Sequence, residues 1–315
     1  MLVTATTTAD VIAASPALWA AADAFFSMPL LATTDDASYA RGYPELYVAQ
    51  GEVAYSFASA PLALASDDAT TCCILVLQST TCVCLAHVDS PAQVAFLFAH
   101  WQRTVGDVDT RIAVVGGYVD EDGVGAGIIA SIVDAMRAAP VSFSILLWAT
   151  GKTNTVPGSS PSQPKVRGLL ALPTTLDGDV QLAPIDYAPG AYRGPNFLRR
   201  TTSTHATPLF VLKAEPALEC VVGPYSRFWM ESDLPAAHMR RYLAHVQGFS
   251  DAELLQRFST SPAAEGPKFV ADLKARFEAA HAVLDLGNDE RSAILCAAQR
   301  YRWQPSTRHW DLVET

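Results

Sequence analysis

Ser66-Asp67-Asp68-Ala69-Thr70-Thr71 stands directly before Cys72, and Cys72 in turn opens the apolar run Cys73-Ile74-Leu75-Val76-Leu77. A cysteine that only fills a core needs no such polar approach. A nucleophilic thiol does need one, because it requires a proton acceptor, donors for a developing oxyanion and a group that selects the substrate. The acceptor follows from pairing: if 72–77 and 82–87 form a hairpin turning at Gln78-Ser79-Thr80-Thr81, Leu77 faces Cys82 and Cys72 lies directly opposite His87. Facing side chains hold their Cβ atoms about 4.5 to 5.5 Å apart, within reach of a shared proton. Cys73, Cys82 and Cys84 then fall on the other face as small core residues.

A histidine beside a thiol favours the thiolate by taking its proton and supplying a compensating charge. Asp89, two residues beyond His87 on the same face, is placed either to orient the imidazole or to end the strand before Pro91. Thr70 and Thr71, with the backbone amides entering the strand, offer oxyanion donors beside Ser66, while Asp67 and Asp68 offer carboxylates for a substrate ammonium. Each of these residues also has a plainer reading as a turn or cap facing water.

Other chemistry is weakly signalled. Gly123, Gly125 and Gly127 follow three acids and lack the later acid that would hold a ribose, so no dinucleotide cofactor is expected. Cys82-x-Cys84 with His87 has a metal-like look, but strand parity sends His87 to the opposite face, and no metal is expected. Ser259, Thr260, Ser261 and Glu265 suit either a helix start or the wall of a site.

The elements that must position these residues alternate in type. Ala9 to Phe26 has helical spacing broken at Pro16, and Glu45 to Phe57 reads as two short strands. Helices are expected over 91–104 and 124–138, and strands over 111–115, stopped by Gly116-Gly117, and over 141–149. Residues 151–164, rich in Gly, Ser and Pro, have the composition of an exposed flexible loop. A hairpin turning at Asp177-Gly178 and a pairing of 209–212 with 218–222 follow. The last third is mostly helical, opening on a Ser250/Glu253 capping box, and closes on a hairpin of 293–301 with 310–313. The pattern predicts one α+β domain over 1–315, with mixed and antiparallel sheets and flanking helices.

Composition sets the outer limits. The 315 residues are 50% apolar with a net charge of -10, and no Lys/Arg cluster offers a footprint for nucleic acid or an anionic membrane. An acidic surface favours cationic partners such as a free amino terminus. No window reaches the roughly 18 apolar residues of a membrane span. The Ala-rich start carries no basic residue before Arg41, unlike a signal or transit peptide. Six cysteines, two of them adjacent, do not form a secreted disulfide pattern and read as reduced thiols of a cytoplasmic protein, with the nucleus as a second compartment.

The stretch SDDATTC, the apolar strand after it and CLAHVD resemble the protein N-terminal asparagine amidohydrolases. ELYVAQGEVA at 45–54, VVGGYVDED at 114–122, VGPYSRF at 222–228 and FSTSPAAEGPKFV at 258–270 continue that resemblance in order. It implies a thiol amidase that converts the side chain of an N-terminal Asn to Asp, without a cofactor, in the N-degron pathway. Proteins and peptides beginning with Asn would be its partners. Cys72 would be the nucleophile and His87 its acid-base partner. Departures include Cys73 in place of a histidine and Arg227 in place of a tryptophan. Two other readings stand beside this one. The first is deamidation of internal Gln or Asn, as in bacterial toxin and chemotaxis deamidases, whose Cys and His sit on adjacent strands of an α/β/β layered fold. The second is a non-catalytic binder of amino termini.

Overall fold

A computed structural model describes residues 1–33, 42–172, 178–195, 209–215, 219–222, 236–287 and 298–313. Two amino-terminal helices, α1 (Ala9–Ala13) and α2 (Pro16–Phe26), are separated at Pro16, which starts the second. Five strands follow: β1 (Glu45–Tyr47), β2 (Glu52–Phe57), β3 (Ala63–Ser66), β4 (Cys73–Gln78) and β5 (Cys82–Val88). Next come α3 (Pro91–Val105), β6 (Thr110–Tyr118), α4 (Val124–Ala138), β7 (Phe143–Gly151), β8 (Leu169–Leu172) and β9 (Gln181–Pro184). The carboxy-terminal part holds β10 (Phe210–Glu215), β11 (Glu219–Val222), α5 (Ala236–Gln247), α6 (Asp251–Phe258), α7 (Phe269–Asp285), β12 (Gln299–Gln304) and β13 (His309–Leu312).

The strands make a nine-stranded sheet, ordered β13-β12-β11-β10-β2-β5-β4-β6-β7, and a four-stranded sheet, ordered β1-β3-β8-β9. β4 and β5 sit in the middle of the large sheet and are buried on both faces, which is why they read as unbroken apolar runs. One face, carrying Cys73, Leu75, Leu77, Cys82, Cys84 and Ala86, packs on Val94, Leu97 and Trp101 of α3 and Ile128 and Ile132 of α4. The opposite face, with Ile74, Val76, Val83 and Leu85, packs on Leu46, Leu64, Leu169 and Ala171 of the small sheet. The layers therefore run helix, sheet, sheet, and the expected α+β class with an α/β/β arrangement holds.

Two expectations need correcting. The β4–β5 register pairs Cys73 with Val88 and Ile74 with His87, two residues off the expected alignment, so Ile74 and not Cys72 stands opposite His87. The reason is the turn, which sits one residue later than expected: Gln78 joins the ladder opposite Val83, and Ser79 Oγ accepts from the Cys82 amide within the loop. Because side chains alternate with period two, an even slip keeps Cys72 and His87 on one face, now as diagonal neighbours. β6 does not stop at Gly116-Gly117 but bulges through them, with a register shift against β7 between Gly116 and Tyr118. The two short strands expected over 45–57 are both formed, β1 in the small sheet and β2 in the large one.

Within 151–164 the side chains of Thr153 and Asn154 are buried, and Asn154 bonds both the amide and the carbonyl of Val166. The capping box at Ser250 and Glu253 is formed as expected. The VGPYSRF block beyond Val222, residue 177 of the expected turn and the 293–297 part of the closing hairpin lie outside the described residues.

Candidate active site

Cys72 is the last residue before β4, and its backbone is gripped by the bulge in β6. The Gly117 amide donates to the Cys72 carbonyl at 2.8 Å. A Cβ on Gly116, whose φ is +116°, would lie 2.3 Å from that same carbonyl oxygen, so the glycine is required by the close approach itself. The side chain of Cys72 is half-buried and packs against the core between the two sheets.

His87 lies on the same side, 2% exposed, and its Nδ1 is 2.9 Å from Ser66 Oγ at the end of β3. Its Nε2 is buried and has no hydrogen-bond partner among the described residues. Ser66, grouped from sequence with the substrate-binding residues, is fully buried against the imidazole instead. Asp89 does not hydrogen-bond the ring; it accepts from Gln50 Nε2 at 2.9 Å, and acts on His87 through its charge.

The cavity beside Cys72, of about 120 Å³, is lined by Asp68, Thr70, Thr71, Asp89, Glu265, Asp272 and Arg276, among others. One wall comes from residues 258–265. Thr260 Oγ1 lies 3.1 Å from Thr71 Oγ1, and Ser261 Oγ donates to Thr70 Oγ1 at 2.9 Å. Ser259, whose hydroxyl bonds Glu265, and Thr260 line the cavity, so this block forms a wall of the site.

The two aspartates before the nucleophile diverge. Asp67 is fully buried; its Oδ1 accepts from Tyr47 Oη at 2.7 Å, and its Oδ2 accepts from the Tyr187 amide at 3.0 Å and from Lys268 Nζ at 2.6 Å. Arg193 Nη2 adds a contact at 3.4 Å. Asp68 has a left-handed backbone, φ +63°, rare outside glycine, and its side chain reaches the cavity. Its carboxylate pairs with Lys268 at 3.3 Å and Arg193 at 3.7 Å.

Charge dominates the neighbourhood. Among the described residues, Asp68, Asp89, Glu265 and Asp272 line the cavity at the thiol together with Arg276, while Lys268 and Arg193 pair with Asp68 and Arg167 lies near Glu265. Burial, then Asp89 and other nearby anions, push the Cys72 thiol well above its ordinary value, while the Thr71 hydroxyl pulls the other way. Burial lowers His87 to about 4 although Asp89 and Asp68 oppose the shift. Burial raises Glu265 to about 7. Both shifts favour the neutral forms, a thiol and an imidazole, over the ion pair expected from the sequence.

Asp67, Asp68 and Asp186 are close enough together to hold a metal ion, but Lys268 Nζ already sits among them. Sequence reasoning missed Lys268, Arg193, Asp186, Asp272 and Arg276. Lys268 lies inside the quoted 258–270 block, yet nothing in one sequence distinguishes a buried lysine from a solvated one.

Residues 36–303 match the profile of an amidohydrolase family. That family is the protein N-terminal asparagine amidohydrolases, and the chain belongs to it. A relative named protein N-terminal asparagine amidohydrolase, from Sus scrofa, is 26% identical over 245 residues, covering 73% of this chain and 72% of its own length.

Proposed function

We propose that the protein hydrolyses the side-chain amide of an N-terminal asparagine, giving aspartate and ammonia, with Cys72 as nucleophile. The observation that carries this reading is the surplus of carboxylates around one half-buried thiol, a setting suited to a substrate that brings its own ammonium. His87 Nε2 takes the thiol proton as sulfur attacks the carboxamide carbon. That proton passes to the leaving nitrogen, ammonia departs and a thioester remains. Water, deprotonated by His87, cleaves the thioester to release the carboxylic acid and restore the thiol.

With the neutral forms of both groups favoured, proton transfer accompanies attack. Ser66 accepting from Nδ1–H would fix the tautomer that leaves Nε2 as the base. Thr70 and Thr71 border the cavity where the oxyanion would form. Asp68 is the reader of the substrate ammonium, since Asp67 is committed to Tyr47, the Tyr187 amide and Lys268. The product, an aspartate at the amino terminus, suits the N-degron role, and the four buried free cysteines among the described residues suit the reducing cytoplasm.

The test is mass spectrometry of Asn-starting, Gln-starting, N-acetylated Asn-starting and internal-Asn peptides after incubation with the protein. An amide-to-acid mass gain confined to the free Asn-starting peptide is expected. Equal conversion of the acetylated or internal-Asn peptide would move the assignment to an internal-amide deamidase. Binding of the free peptide without conversion would leave only a binder of amino termini.

A further inference from the structure

Lys268 stands at the N-cap of α7, with helical backbone angles and no side-chain cap. That is an awkward place for a cation, because the helix dipole puts partial positive charge there and the usual caps are acceptors. Yet its side chain is 4% exposed. Nζ bonds Asp67 Oδ2 at 2.6 Å, the Tyr187 carbonyl at 2.9 Å and Asp186 Oδ1, and lies 3.3 Å from Asp68 Oδ1. The three carboxylates would repel one another without it.

We infer that Lys268 is a positioning residue for substrate recognition: its buried ammonium, anchored by Asp67, Asp186 and the Tyr187 carbonyl, fixes Asp68 so that its carboxylate meets the substrate's α-ammonium. The inference rests on the reading of Asp68 given above. The geometry supports it in two ways. The three donors of an ammonium match the three nearer acceptors, so Asp68 is held by charge at longer range while Lys268's shorter contacts go elsewhere. Arg193 repeats the pattern, donating to Asp272 at 2.7 Å while standing 3.7 Å from Asp68 Oδ2. A non-glycine residue in left-handed conformation persists only when its surroundings over-determine it, and these two cations, one beside each oxygen of Asp68, do so.

The full chain carrying Lys268→Met is compared with the parent on a free and an N-acetylated Asn peptide. The KM for the free peptide should rise about tenfold or more, and the preference over the acetylated peptide should shrink by a similar factor. kcat should stay within a few-fold of the parent. Lys268→Arg should retain part of the preference. Asp186→Asn, which loosens Lys268 without removing it, should shift KM in the same direction by less, and carries the test if Lys268→Met does not fold. Unchanged KM and preference in folded Lys268→Met, or in Asp186→Asn where only that variant folds, overturns the inference. Asp68→Asn separates the two layers of the argument. If it abolishes the preference while the Lys268 variants keep it, only the positioning role fails. If it too keeps the preference, the reading of Asp68 itself fails.

Discussion

Cys72 and Cys73 are adjacent, but strand parity sends one toward the gap between the sheets and the other among the helices, so their substitutions should separate cleanly. Cys72→Ala should abolish turnover of an Asn-starting peptide. Cys73→Ala should retain most of it and lose about 1 to 2 kcal/mol of stability, as expected for a small group deleted from a core. Equal activity loss in both variants, seen in initial rates together with urea unfolding, would contradict the assignment of the nucleophile. Ser66 is the less obvious partner. Ser66→Ala leaves His87 Nδ1 without its bond and frees the ring to change tautomer, so kcat should fall about ten- to a hundredfold with KM little altered. A kcat equal to the parent's would mean that the ring is held by packing alone. That Asp68, Thr70, Thr71 and Cys72 line one cavity, with His87 on the face of Cys72, was legible because local sequence and strand parity suffice to place them. Ser66 was legible as a neighbour but not in its place, since the contact that defines it crosses from the small sheet to the large one.

At the scale of elements, the hairpin could be placed from sequence because two apolar runs flank a polar turn, but its register was set by Gln78. The side chain of Gln78 donates to the Gly178 carbonyl and accepts from the Val180 amide, ties to the segment leading into β9 that no local pattern announces. The glycines of β6 are a similar case. Gly116-Gly117 reads as a strand terminator in isolation, whereas in the fold it is a bulge shaped to receive the backbone of Cys72. Gly116→Ala should therefore do more than weaken a strand. Its Cβ would meet backbone oxygen, which cannot swing aside as a flexible side chain could, at a φ unfavourable for alanine. The expected cost is at least about 2 kcal/mol of stability, with Cys72 displaced and turnover reduced beyond what partial unfolding explains. Thermal unfolding and specific activity below the transition would check this. A variant as stable and as active as the parent would show that the approach of β6 to Cys72 is looser than drawn. Asp120, by contrast, accepts from the Val124 and Gly125 amides at the start of α4, so the acidic, glycine-rich stretch there is explained as a helix entrance.

At the scale of the whole molecule, the large sheet joins strands from residue 52 to residue 312, and the 258–270 segment closes a site opened by residues 66–72. We read the chain as one folding unit on that ground, and a single urea transition by fluorescence and circular dichroism is the expected behaviour. The acid-rich site should then show itself in how stability depends on pH. His87 titrates near 4 when folded against an ordinary 6.5, so as pH falls through that window the unfolded chain binds a proton that the folded one refuses, and stability drops. Glu265 works the other way. Its folded value near 7 against an ordinary 4.5 means that the unfolded chain ionises first as pH rises, so its penalty is absent below 4.5 and complete above about 7. Between 4.5 and 6.5 the two slopes oppose each other and the parent should be nearly flat in this part of its profile. Glu265→Gln removes one slope and keeps an acceptor for the Ser259 hydroxyl, so the variant should gain stability steadily as pH rises through that interval. By pH 8 it should exceed the parent by up to about 3 kcal/mol, the upper limit for a half-buried carboxyl. Urea midpoints of both proteins at pH 5, 6, 7 and 8 measure the difference directly. Parallel curves would mean that Glu265 ionises as a solvated acid does.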